Sequence, residues 1–198
     1  MGVWRAGACA GLAVLLLACA NGGKAEGENP PRVMAAEGGG GTIQEVLPQL
    51  AKAHSDKVQL AMFVGMPFIH RVDPAVKAFA EKMGEQNKEL LKDLKAYAEA
   101  NKISLKFEYS ADANGRAQKG MEDEQSKALQ GAGGTEFELL VLVLEYSDYG
   151  WNKALVKTTL EKEKGLDPAL KAYLEKSLKV HEEGIREIEG LLKRFQFK

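Results

Sequence analysis

Eleven residues from Asp73 to Met83, DPAVKAFAEKM, recur as DPALKAYLEKS from Asp167 to Ser177, with seven of eleven positions identical. The chain is built from one unit used twice. In each copy an Asp precedes a Pro, which suits a helix start: the carboxylate caps free N–H groups, and Pro at the first helical position has no donor to lose. Two equivalent helices in one chain, each needing an antiparallel neighbour, predict two helical hairpins.

The apolar spacing fills in the other arms. Thr42 and Glu45 form a capping-box pattern, and Ile43, Val46, Leu47 and Leu50 follow at helical spacing. Ser55 and Asp56 offer a second start, so the first arm is expected to be broken or kinked before Pro67. The second arm, Pro74 to about Asn101, places Val76, Ala80, Met83, Asn87, Leu90, Leu94 and Tyr97 on one seam. Ile103 to Tyr109 alternates apolar and polar residues and reads as an extended crossing, followed by a turn-rich stretch and a short polar helix at about Ala117 to Leu129. A third arm capped by Thr135 carries the apolar run Leu139 to Leu144 and ends at Gly165. The fourth runs from Pro168 to about Phe195, with Leu170, Tyr173, Leu174, Leu178, His181, Ile185, Ile188 and Leu191 inward. These readings give an all-α four-helix bundle of two hairpins joined by a long crossover with a short extra helix, occupying residues 42–198.

The N-terminus has Arg5 in a polar start and an apolar stretch from Ala8 to Ala18, too short for the roughly 20 residues of a membrane span. Leu16-Leu17-Ala18-Cys19 resembles the bacterial lipobox, which implies a signal peptide over 1–18 and lipidation of Cys19. Leu17 departs from the small residue usual there, and Ala18-Cys19-Ala20 also fits ordinary signal cleavage, which would release a soluble periplasmic or secreted protein. In the lipoproteins that this pattern resembles, a residue such as Ala20 after the Cys, rather than Asp, goes with the outer membrane, so the resemblance implies that destination. Residues 19–41, with Gly38 to Gly41 in a row, read as a tether of roughly 25 Å mean reach. The only other cysteine is Cys9, inside the signal, so the mature domain has no disulfide, thiolate metal site or cysteine nucleophile. Acids number 28 and bases 27, a balance that offers no nucleic-acid surface.

The stretches FAEKMGEQNKELLKDLKAYAEANKISL, GTEFELLVLVLEYSDYGWNKAL and DPALKAYLEKSLKVHEEGI resemble a bacterial family of predicted outer-membrane proteins of unknown function with a ferritin-like bundle. The resemblance implies a ferritin-like fold and an envelope location. In that family the second helix carries Met followed by Asp-His, where this chain has Met83 and then Gln86-Asn87; the third carries Asp-His, where Asp148-Tyr149 stands. A late fourth-helix His falls at Gly184, one turn after His181, and first-helix glutamates fall near Leu60 and Met62. Most of the family's polar positions are therefore altered here.

A ferritin-like di-iron site needs Glu-x-x-His from two helices. The residues three before His54, His70 and His181 are Ala51, Pro67 and Leu178, so no metal or other cofactor is expected. His54 and His70 read as surface or capping histidines. His181 lies on the fourth-arm seam, and the repeat maps it onto Asn87. With Asp148 and Tyr149 these residues form a candidate central polar layer, either a ligand site or a hydrogen-bonded network that fixes register. Tyr146, Tyr149 and Trp151 around Gly150 form an aromatic cluster that either lines a pocket, packs in the core or anchors the bundle edge. The functional expectation is a lipid-anchored, non-enzymatic bundle facing the periplasm that binds an envelope protein or a small molecule. The alternative is a degenerate metal-binding or redox protein using His181 with Glu85, Asp148 and Glu182.

Overall fold

The computed structural model describes residues 43–66 and 72–195. The signal segment 1–18, Cys19, the tether 19–41, the Thr42 cap, Pro67 and His70 lie outside the described residues. Among those described there are five helices and no strand: α1 Ile43–Gly65, α2 Pro74–Ala100, α3 Ala113–Gly131, α4 Gly134–Lys162 and α5 Pro168–Phe195. Helices α1 and α2 pack as one hairpin, α4 and α5 as another, and the two meet through α1 with α4 and α2 with α5.

The repeated Asp-Pro works as the sequence implies. Asp73 accepts from Ala75 N at 2.8 Å, and Asp167 from Ala169 N at 2.7 Å and Leu170 N at 3.2 Å. Each carboxylate thus satisfies amides that the first helical turn leaves free. Asp73 N in turn donates to Glu138 Oε1 of α4 at 2.5 Å, which ties the start of α2 to the opposite hairpin.

The first arm is one helix, where a break was expected. Lys52 pairs with Asp56 one turn on at 2.5 Å, so Asp56 faces outward instead of capping a second start. Pro48 sits only six residues into α1, where its missing N–H removes one bond near a free end. The polar helix starts earlier than expected, at Ala113, because Asp112 caps it through Gly115 N at 2.9 Å. Thr135 does not cap α4. Gly133 holds the N-cap position with no side-chain bond, and the helix ends at Lys162, short of Gly165.

One apolar cluster runs through the four long helices, including Leu47, Leu50, Met83, Leu90, Leu94, Leu142, Val156, Leu174 and Ile188, and Ile103 and Leu105 of the crossing pack against it. Each fully buried large side chain contributes about 1.5 to 3 kcal/mol. Gly84 lets α1 and α2 approach closely, since a Cβ there would meet Ala61 Cβ at 2.6 Å. On the rim, Lys82 with Glu187 at 2.5 Å and Lys176 with Asp93 at 2.8 Å join α2 to α5. Such exposed pairs add about 0 to 1 kcal/mol each.

Candidate functional site

Four seams converge on a buried polar layer midway along the helices. Along α1 the inward positions Leu47, Leu50, His54, Lys57 and Val64 keep steps of three, four or seven, so His54 and Lys57 face the core. The same spacing brings in Asn87 from α2, Glu145 and Tyr149 from α4, and Tyr173, Ser177 and His181 from α5, all buried. His54, expected at the surface, is fully buried at the centre of this layer.

The hydrogen bonds fix protonation states. His54 Nδ1 lies 2.8 Å from Asn87 Oδ1, while Asn87 Nδ2 donates to Met83 O at 2.9 Å and to Tyr149 OH at 3.3 Å. With the amide oxygen as acceptor, His54 Nδ1 must carry the proton. His54 Nε2 then accepts from Tyr173 OH at 2.8 Å. Burial lowers the His54 imidazole to about 4; the Asn87 bond opposes this and the Lys57 charge adds to it. His181 stacks on His54 with ring centroids 5.9 Å apart, meets the Tyr149 edge at 5.4 Å, and pairs with Ser177 Oγ at 3.2 Å. Burial, then His54 and Lys57, lowers it to about 2. Its Nδ1 has no partner among the described residues. Burial also pushes both tyrosines well above their usual range, with Glu145 adding at Tyr149.

Beside this layer lies an ion pair. Lys57 Nζ donates to Glu145 Oε2 at 2.8 Å and sits 4.6 Å from the centre of the Tyr149 ring. Burial pushes the Glu145 carboxyl up, and the Lys57 charge opposes it. Asp148, placed in the central layer by the sequence reading, is instead 60% exposed and reaches the layer only through Lys57, at 3.6 Å. Glu145 and Tyr149 share the inward stripe four apart, which leaves Asp148 about 100° off it. The sequence reading missed His54, Lys57 and Glu145 because they interrupt apolar seams. Continuing each seam in steps of three and four through its polar positions would have found them.

The aromatic cluster divides. Tyr149 is fully buried, whereas Tyr146 and Trp151 are exposed. Tyr149 fits because Gly184 faces it: a Cβ there would lie 2.7 Å from the ring, while one at Gly150 meets nothing within 4 Å. Gly184→Ala is therefore expected to cost about 1 to 3 kcal/mol by overpacking, and Gly150→Ala to gain about 0.5 to 1 kcal/mol. Urea unfolding of both variants checks the opposite signs.

The donor set does not fit a di-iron centre. Both His54 nitrogens are engaged, the carboxylate in the layer is held by an ammonium, and no group of three or more ligating side chains occurs among the described residues. Glu85 pairs with Lys88 and Glu182 with Lys153 on the surface, away from buried His181. Two surface depressions among the described residues are lined by α1, α2 and the crossing, with none of the layer's side chains.

No curated protein matches the chain. Among solved structures, the crystal structure of a DUF305 fragment from Deinococcus radiodurans is similar in fold, with a TM-score of 0.63 and 16% identity over 77% of this chain and 97% of that one. A family profile matches residues 70–191, more than half of the chain and spanning α2, α3, α4 and most of α5. The chain belongs to the family described as Domain of unknown function (DUF4142).

Proposed function

We propose that this protein is a lipid-anchored bundle of the bacterial envelope that faces the periplasm and acts as a binding or structural module, not as a catalyst. Its four long helices form a ferritin-like four-helix bundle in which the usual metal core is replaced by a neutral polar layer that sets helix register. The observation that carries this reading is His54, bonded on one side to Asn87 of its own hairpin and on the other to Tyr173 of the opposite hairpin. A one-turn slip of either hairpin would leave these groups buried and unpaired, at about 1 to 3 kcal/mol each. Single polar seam residues fix register in coiled coils in the same way. The lipobox-like residues ending at Cys19 support the anchor, and the glycine-rich stretch after it supports a tether.

Native and denaturing mass spectra of the full chain, purified from bacterial membranes without chelator, test both parts. The expected result is a lipid-modified N-terminal Cys19 and no mass difference between the two spectra. An extra stoichiometric mass in the native spectrum, lost in His181→Leu, would overturn the register reading in favour of a ligand or metal at His181.

A further inference from the structure

Residues 103–110 form an irregular extended segment between α2 and α3. The segment carries no helix or turn, and its side chains alternate strictly between half-buried Ile103, Leu105, Phe107 and Tyr109 and exposed Ser104, Lys106, Glu108 and Ser110. Period-two alternation is the geometry of a β-strand on an apolar bed. Lys106 and Glu108, two apart on the outer face, pair at 2.5 Å. From Ser104 to Ser110 the backbone N–H groups make one protein bond among the described residues, Lys106 N to Ser104 Oγ at 3.3 Å. A strand edge with open donors and acceptors is a template for another strand.

Two depressions, of about 310 and 220 Å³, lie beside this edge, where α1 residues Gln44 and Pro48, and then Ala51, Lys52 and Ser55, face residues 103–107. From Gln44 to Ser55 the helix axis advances about 16 Å, comparable with the roughly 13 Å from Ile103 to Phe107, the part of the segment that lines the depressions. Pro48, Leu91, Ile103, Leu105 and Phe107 supply apolar lining. The charged lining is four lysines, Lys52, Lys95, Lys102 and Lys106, with no Asp or Glu, on a chain whose charges nearly cancel. Lys52 is held by Asp56 and Glu122, and Lys106 by Glu108. Lys95 and Lys102 have no ion-pair partner among the described residues, and they line different depressions.

We propose that this edge and these depressions receive an extended acidic segment of a partner protein. The segment pairs as a strand along extended residues 103–110, seats its apolar side chains between α1 and the crossing, and places its carboxylates at Lys95 and Lys102. Main-chain bonds give such complexes their affinity, and alternate side chains give them their specificity. The proposal rests on the binding-module reading and names the partner's chemistry, but it does not involve the polar layer.

The test titrates the full chain at 0.15 M salt with an acetylated ten-residue peptide alternating Val and Glu, and with its twin carrying Lys in place of Glu. Backbone amide exchange is followed in parallel. The Glu peptide is expected to bind saturably and at least ten-fold more tightly than the Lys twin, and to slow exchange at Leu105 to Tyr109. The Lys95→Glu, Lys102→Glu double variant, whose changes lie on the surface, is expected to lose at least ten-fold. His181→Leu is expected to bind as the unmodified chain does, which separates this site from the layer. No saturable binding, equal binding of both peptides, or binding without slowed exchange would each overturn the proposal.

Discussion

Lys57→Met is expected to remove about 3 to 5 kcal/mol of unfolding free energy, the usual cost of stripping one partner from a buried ion pair. Lys57 is fully buried, and the Glu145 side chain is 4% exposed. Without the ammonium, Glu145 must either stay charged in the core or take up a proton there. The double variant Lys57→Met, Glu145→Leu is expected to return to within about 1 kcal/mol of the original or to exceed it, because well-packed apolar residues often match or outdo buried charges. Urea unfolding at pH 7 checks the pattern. Single and double variants that lose the same stability would mean that the pair's attraction is not what holds this part of the core.

Acid provides the second large effect. His54 and His181 start from 6.5 and fall to about 4 and about 2 in the folded chain. Because the folded values are depressed, the unfolded chain binds more protons as pH drops below about 6.5, so stability is intact above that point and falls below it. His54 adds to this slope down to about pH 4, and His181 down to about pH 2. Two extra protons across the interval to pH 4 amount to a loss on the order of 7 kcal/mol. Glu145, shifted upward, works in the opposite direction and offsets part of it. Folded domains hold roughly 5 to 15 kcal/mol in reserve, so acid unfolding is expected near pH 4 to 5. His181→Leu removes one of the two protons from the slope and costs little at pH 7, since it deletes one bond and an unpartnered Nδ1. His54→Leu also flattens the slope, yet costs about 2 to 6 kcal/mol at pH 7 by leaving Asn87 Oδ1 and Tyr173 OH unpaired. Unfolding measured from pH 8 to 4 separates the two.

The helices were largely legible in the sequence, and the site was legible in part. Asp73-Pro74 and Asp167-Pro168 set the starts of α2 and α5 because capping is local chemistry, written in adjacent residues. The unbroken α1 was not legible, since Ser55-Asp56 has the composition of a helix start and only the neighbouring Lys52 and the inward pull of His54 and Lys57 override it. Asn87, Tyr149 and His181 do share one layer, because the repeat and the seams place them at matching heights. Asp148 does not join them: adjacent residues on a helix face about 100° apart, and only Tyr149 keeps the stripe. His54 looked like a surface residue because its partners lie 33 and 119 positions away in the chain. Local sequence carries no signal for such pairings. What remained readable was seam position, and it places Lys57 and Glu145 inward as well.

The most direct test of the closed, neutral layer is a long-range proton–nitrogen NMR titration of the imidazoles of the folded chain from pH 7.5 to 5.5. The account predicts that two of the three histidines stay neutral throughout, one of them, His54, as the Nδ1–H tautomer. Titration of His54 or His181 near pH 6.5 would contradict it, because a ring that takes up a proton there is neither buried nor locked between Asn87 and Tyr173.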